Sequence, residues 1–89
     1  MKILIADDHA VVRRGLRQII TDEYQDAEIS EAADSQQVMK LFHNGEWDII
    51  ILDITMPGRN GLELTKDMKK INKNVRILIH SMYPEDQFA

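Results

Sequence analysis

The sequence predicts an α/β protein, an open parallel sheet covered by helices on both faces. Two short runs, Ile3-Leu4-Ile5-Ala6 and Ile49-Ile50-Ile51-Leu52, are continuously apolar and mostly β-branched, as expected of strands buried on both sides. A third run, Val75-Arg76-Ile77-Leu78-Ile79, is a further strand of similar length. Between these runs the apolar residues change to helical spacing. Strands that alternate with helices are joined by right-handed crossovers, which make the sheet parallel and place helices on either face.

The elements follow in order. After the first strand, Val12, Leu16, Ile19 and Ile20 repeat at i, i+4, i+7 and i+8, which predicts an amphipathic helix over residues 10–22. Ala27-Glu28-Ile29-Ser30-Glu31 reads as a shorter, weaker strand. Asp34-Ser35-Gln36-Gln37 has the form of a capping box and opens a second helix, whose stripe is Val38, Leu41 and Phe42 and whose stop signal is Gly45. Trp47, just before the third strand, is a packing residue. Asn60-Gly61-Leu62-Glu63 caps a third helix that carries Leu64, Met68 and Ile71, with Asn74 as its stop. Beyond the fourth strand, Glu85 to Ala89 start another helix with Pro84 in its first turn. The expected order is β-α-β-α-β-α-β, and residues 1–89 are expected to be an incomplete domain.

Eighty-nine residues make at most one domain. Apolar residues are 44% and charged residues 29%, an ordinary globular balance. The net charge of −4 argues against this segment gripping a phosphate backbone, which takes clustered Lys and Arg. It suits a module that gathers carboxylates around a cation. With no cysteine, disulfides and thiolate metal sites are excluded. Only four apolar residues stand between Lys2 and Asp7, too few for a signal peptide or a membrane span, so the expectation is a cytoplasmic chain with no membrane contact.

Ligands of open α/β sheets sit beyond the carboxyl ends of the strands. Three carboxylates fall there: Asp7 and Asp8 after the first strand, Asp53 after the third. Neighbouring strands are about 4.8 Å apart. Crowded carboxylates repel until a proton or a cation neutralises them. Mg2+ is the natural cation, since it takes one or two carboxylates and keeps room for phosphate oxygens. Asp8 and Asp53 are the expected direct ligands, the Thr55 backbone carbonyl a third, and Asp7 acts through water. Asp7 and Asp8 could instead cap the following helix, where acidic residues are favoured. The loop Ile54-Thr55-Met56-Pro57-Gly58-Arg59-Asn60-Gly61 can turn sharply at Pro57, Gly58 and Gly61 and present backbone groups to the site, although Pro and Gly are common in any such connection. His9, His43 and His80 lack ligand spacing and read as surface or helix-start residues, with His9 placed to line the site entrance.

Ile-Ala-Asp7-Asp8-His9, then Asp53-Ile-Thr-Met-Pro57-Gly-Arg-Asn-Gly61, then a strand ending in His80-Ser81, closely resembles the response-regulator receiver domain of two-component systems. The resemblance implies a flavodoxin-like sheet of order 2-1-3-4, with the fifth strand absent. It implies that Asp53 is the nucleophile that takes a phosphoryl group from the phosphohistidine of a partner histidine kinase. Asp7 and Asp8 would hold Mg2+. Ser81 would be the hydroxyl that turns towards the phosphate, and Thr55 would tune dephosphorylation. The family's aromatic switch residue belongs to the fifth strand, so Tyr83 is not given that role. Asp-Asp-His9 and Arg14-Gly15-Leu16 resemble the subclass fused to a C-terminal helix-turn-helix domain, so DNA binding would belong to that further domain. On this reading the chain is a phosphoacceptor switch and not a turnover enzyme.

The family's phosphate-contacting lysine sits at the end of the fifth strand, and Lys69, Lys70 and Lys73 lie elsewhere. The strand Val75–Ile79 is expected to be an edge, so a chain of residues 1–89 is expected to be unstable or to self-associate as a homodimer or strand-exchanged oligomer. Two other readings remain: a pseudo-receiver that binds without being phosphorylated, and an aspartate-nucleophile phosphatase. The second wants an Asp two residues after the nucleophile, where Thr55 stands.

Overall fold

The computed structural model describes residues 1–54, 56 and 61–80. Among these, strands and helices alternate: β1 (Lys2–Ala6), α1 (Ala10–Glu23), β2 (Glu28–Ala32), α2 (Ser35–His43), β3 (Ile49–Asp53), α3 (Gly61–Ile71) and β4 (Arg76–His80). All pairings are parallel and the sheet order is β2-β1-β3-β4. This is the expected fold class and order.

The period-2 alternation of the strands divides the core into two layers. Leu4 and Ala6 of β1 and Ile50 and Leu52 of β3 face α2 and α3, and pack with Val38, Phe42, Leu64, Met68 and Val75. Leu4, Ile50, Leu52, Val38, Leu64 and Met68 are fully buried. Burying each such side chain is worth about 1.5–3 kcal/mol. Ile3, Ile5 and Ile51 point the other way and meet Leu16 and Ile20 of α1. That layer is thinner, and no residue of α1 is buried. This explains why the α1 pattern reads as amphipathic yet leaves Val11 and Ile19 exposed.

Local signals act as their chemistry dictates. Asp34 is the N-cap of α2 and accepts from the Gln37 backbone N at 2.8 Å. The Gln37 side chain reaches back to accept from the Ala33 N at 2.8 Å, one residue earlier than a capping box requires. Trp47 donates its indole N–H to the Leu41 carbonyl at 3.1 Å and packs against the α2–α3 layer, the packing role expected of it. Two arginines of α1 tie it to β2. Arg13 Nε and Arg17 Nε lie 2.9 and 2.8 Å from the two Glu31 carboxylate oxygens. Burial pushes the Glu31 carboxyl up, but the hydrogen bonds and charges of Arg17 and Arg13 together outweigh it and hold the group below the usual carboxylate range.

Two strand boundaries differ from the sequence expectation in ways that matter for the site. β3 runs one residue further and includes Asp53, and β4 runs to His80. The expected Asn60 cap and the helix start beyond Pro84 lie outside the described residues.

Candidate metal-binding cluster at the strand ends

Register brings the carboxylates together. Ala6 of β1 pairs with Leu52 of β3, so the next residues, Asp7 and Asp53, stand opposite each other at the carboxyl edge. Asp53 in turn pairs with His80 of β4. Asp7, Asp53 and His80 thus form one row across three neighbouring strand ends. By parity their side chains share the face of Ile5, Ile51 and Leu78, the α1 side of the sheet. Asp7 and Asp53 are fully buried. The Asp7 backbone N still donates to the Ala32 carbonyl of β2 at 3.0 Å, which fixes the chain where it leaves the sheet.

Asp8 and His9 complete the group. One potential ligand atom from each of Asp7, Asp8, His9 and Asp53 lies within 4.8 Å of all the others. His9 Nδ1 sits 2.9 Å from Asp7 Oδ1, 3.0 Å from Asp8 Oδ1 and 3.9 Å from Asp53 Oδ2. Its imidazole is held above the usual histidine value. The hydrogen bond to Asp7 is the main cause; desolvation, the next largest, opposes it, and the charges of Asp8, Asp7 and Asp53 add to it. Asp7 Oδ1 also accepts from the His9 backbone N at 2.8 Å.

Asp7 and Asp8 do not cap α1. Its N-cap is His9, which makes no side-chain capping bond, and the first turn holds no acidic residue. His80 is part buried, and its Nε2 lies 3.3 Å from Asp7 Oδ2. Sequence reading gave His9 at most a place at the site entrance and His80 no role, because neither shows ligand spacing along the chain. The signal was positional: one follows the acidic pair, and the other ends the strand beside Asp53.

The arrangement suits a hard divalent cation. Three carboxylates converge at one edge, two of them fully buried, and carboxylates crowded in this way repel until a cation neutralises them. Arg13, the nearby guanidinium, is turned away from them. It binds Glu31 through Nε and the Asp7 main-chain carbonyl through a terminal nitrogen. The donor set therefore fits a cation such as Mg2+, with Asp7, Asp8 and Asp53 as the residues that would hold it. Thr55 and Ser81, the two other expected site residues, lie outside the described residues, as do Pro57 and Gly58 of the turning loop. Gly61 is described and sits tightly against the site's support. A β-carbon there would come 2.7 Å from the Ile54 Cα, and its N–H donates to the Ile54 carbonyl at 3.4 Å.

An open parallel sheet with clustered carboxylates at its carboxyl edge defines a class of cation-binding α/β modules. Within that class, residues 3–89 match the response regulator receiver domain, and the chain belongs to this family of two-component signalling modules. It is similar to the transcriptional regulatory protein YdfI of Bacillus subtilis, 40% identical over 85 residues that cover 96% of this chain and 39% of the relative. It spans about two-fifths of the length of the curated relatives it matches. Among solved structures it resembles the response regulator TrrA of Thermotoga maritima in complex with Mg2+-BeF, with a TM-score of 0.85 and 32% identity over 98% of this chain and 74% of that one. It also resembles the CheX-CheY-BeF3-Mg2+ complex of Borrelia burgdorferi, with a TM-score of 0.84 and 30% identity over 99% of this chain and 66% of that one. Among the described residues, no helix is long and apolar enough to cross a membrane.

Proposed function

We propose that this chain is a phosphorylation-controlled switch in which Asp53 accepts a phosphoryl group from the phosphohistidine of a partner kinase. The observation that carries this is the convergence of Asp7, Asp8 and Asp53 at the carboxyl ends of β1 and β3. A carboxylate oxygen of Asp53 attacks phosphorus, the P–O bond forms, the P–N bond breaks, and the imidazole of the kinase leaves with the bonding pair. Asp8 and Asp53, with the Thr55 carbonyl, would hold Mg2+ directly, and Asp7 would act through water. When bound, the ion neutralises charge on the transferring group. Ser81 engages the acquired phosphate, and Thr55 tunes its loss. The Mg2+-BeF complexes of TrrA and of the Borrelia CheY support this use of the site.

The aspartyl phosphate adds about −1.5 to −2 charges at the edge where β1, β3 and β4 end. The row Asp7–Asp53–His80 links that charge directly to β4, the strand through which the change spreads to a partner surface. In a longer protein the partner is a DNA-binding output domain, a reading supported by the transcriptional regulatory relatives.

The test is intact mass after incubation with Mg2+ and acetyl phosphate. A phosphoryl adduct that needs Mg2+ and disappears in Asp53→Asn is expected. An adduct that survives in Asp53→Asn overturns the assignment. No adduct in wild type favours the pseudo-receiver, and steady phosphate release from monoesters favours the phosphatase.

A further inference from the structure

Mg2+ held by carboxylates does not use His9, whose Nδ1 is hydrogen-bonded to Asp7 Oδ1 and stands inside the cluster. The distances are 2.9 Å to Asp7 Oδ1, 3.0 Å to Asp8 Oδ1 and 3.9 Å to Asp53 Oδ2. Around an octahedral ion with ligands about 2.1 Å away, neighbouring ligands are about 3.0 Å apart and opposite ligands about 4.2 Å apart. Two of the three separations match the neighbouring value and the third lies near the opposite one. One donor atom from each of Asp7, Asp8, His9 and Asp53 lies within 4.8 Å of the others, close enough to gather around one ion.

A second observation is independent of that spacing. Asp7 is fully buried, and its Oδ2 has no hydrogen-bond partner among the described residues. His80 Nε2 stands 3.3 Å away without hydrogen-bonding to it, and has no hydrogen-bond partner among the described residues. Arg13 binds Glu31 and the Asp7 main-chain carbonyl instead of this carboxylate. A buried anionic oxygen left so is stabilised by a cation in the cluster it borders.

From these contacts we infer that His9 Nδ1 is a metal ligand, making this a mixed nitrogen–oxygen site that selects first-row transition dications such as Zn2+ over Mg2+. The inference rests on the reading of Asp8 and Asp53 as cation ligands. Mg2+ prefers oxygen and gives up water reluctantly, so an imidazole adds little for it. Zn2+ and its neighbours in the series bind imidazole well. The His9 side chain is 47% exposed and makes no capping bond to α1, and its Nδ1 would exchange the hydrogen bond to Asp7 Oδ1 for a bond to the ion.

The experiment titrates ZnCl2 and MgCl2 calorimetrically into the 89-residue chain, His9→Ala, His9→Gln and Asp53→Asn. Nitrogen NMR of 15N-histidine-labelled protein follows the ring atoms as ZnCl2 is added. The Zn2+/Mg2+ affinity ratio is expected to fall about 10–100-fold in both His9 variants, a loss comparable to that from removing even an outer-shell partner. The His9 Nδ1 resonance is expected to move on Zn2+ addition. An unchanged ratio, or Zn2+ shifts confined to His43 and His80, overturns the inference. Loss of both metals in Asp53→Asn with an unchanged ratio in the His9 variants removes only the His9 role. Unchanged binding of both metals in Asp53→Asn removes the carboxylate site, and this inference with it.

Discussion

Gly61→Ala and Gly15→Ala are the same change in two helices, and the structure assigns them opposite signs. Gly15 lies mid-way along α1, and a β-carbon there meets nothing within 4 Å. Only helix propensity acts, so Ala stabilises by about 0.8–1 kcal/mol. Gly61 opens α3, and its β-carbon would lie 2.7 Å from the Ile54 Cα, 3.1 Å from Cγ2 and 3.2 Å from Cβ. Carbon atoms settle at about 3.5–4.0 Å, so backbone must retreat by nearly an ångström. Overpacking of this kind costs about 1–3 kcal/mol, and propensity returns less than 1 at a first helical turn. The net is a loss of about 1–2 kcal/mol. In a domain of this size each kcal/mol moves Tm by about 4–8 °C. Gly15→Ala should therefore melt about 4–8 °C higher and Gly61→Ala about 5–15 °C lower, read by calorimetry or circular dichroism. Because Ile54 follows Asp53, Gly61→Ala should also weaken Mg2+ binding, which Gly15→Ala leaves alone. A Gly61→Ala protein as stable as wild type would refute the steric argument. So would a Gly15→Ala protein that melts lower.

Other expectations follow from the same packing and charges. Leu64→Ala, in a fully buried side chain of α3, should cost about 2–5 kcal/mol in urea unfolding. Asp53→Asn removes one of three crowded carboxylates and should raise Tm in metal-free buffer, a gain that shrinks when Mg2+ is added. The Glu31 carboxyl is held below its usual range in the folded state, so the Arg13–Glu31–Arg17 clamp stabilises fully above the unfolded carboxylate value near 4.5 and is lost as pH falls through the lower folded value. Glu31→Gln should flatten that limb of the stability–pH curve, with an effect at neutral pH of about 0.2–1 kcal/mol per pair. Leu78 of β4 is 61% exposed at the sheet edge among the described strands, and Leu78→Lys should lower any concentration-dependent association seen by sedimentation velocity.

The sequence by itself determined the fold class, because continuous apolar runs such as Ile49–Leu52 and helical stripes such as Val38–Leu41–Phe42 are local patterns with few other uses. It also picked out Asp7, Asp8 and Asp53, since carboxylates directly after buried strands have only one end of the sheet to occupy. The sheet order came from family resemblance, because no local pattern says which strands are neighbours. The tertiary structure decided what depends on register. Pairing Ala6 with Leu52, and Asp53 with His80, sets one row of side chains that no one-dimensional spacing reveals. It turned His9, a helix-start residue by position, into the nitrogen at the centre of the carboxylates. It also gave Gly61 a steric reason, contact with Ile54 seven residues earlier, where the sequence suggested a sharp turn and a helix cap. Periodicity is written along the chain, but distances between strand ends exist only once the sheet has closed.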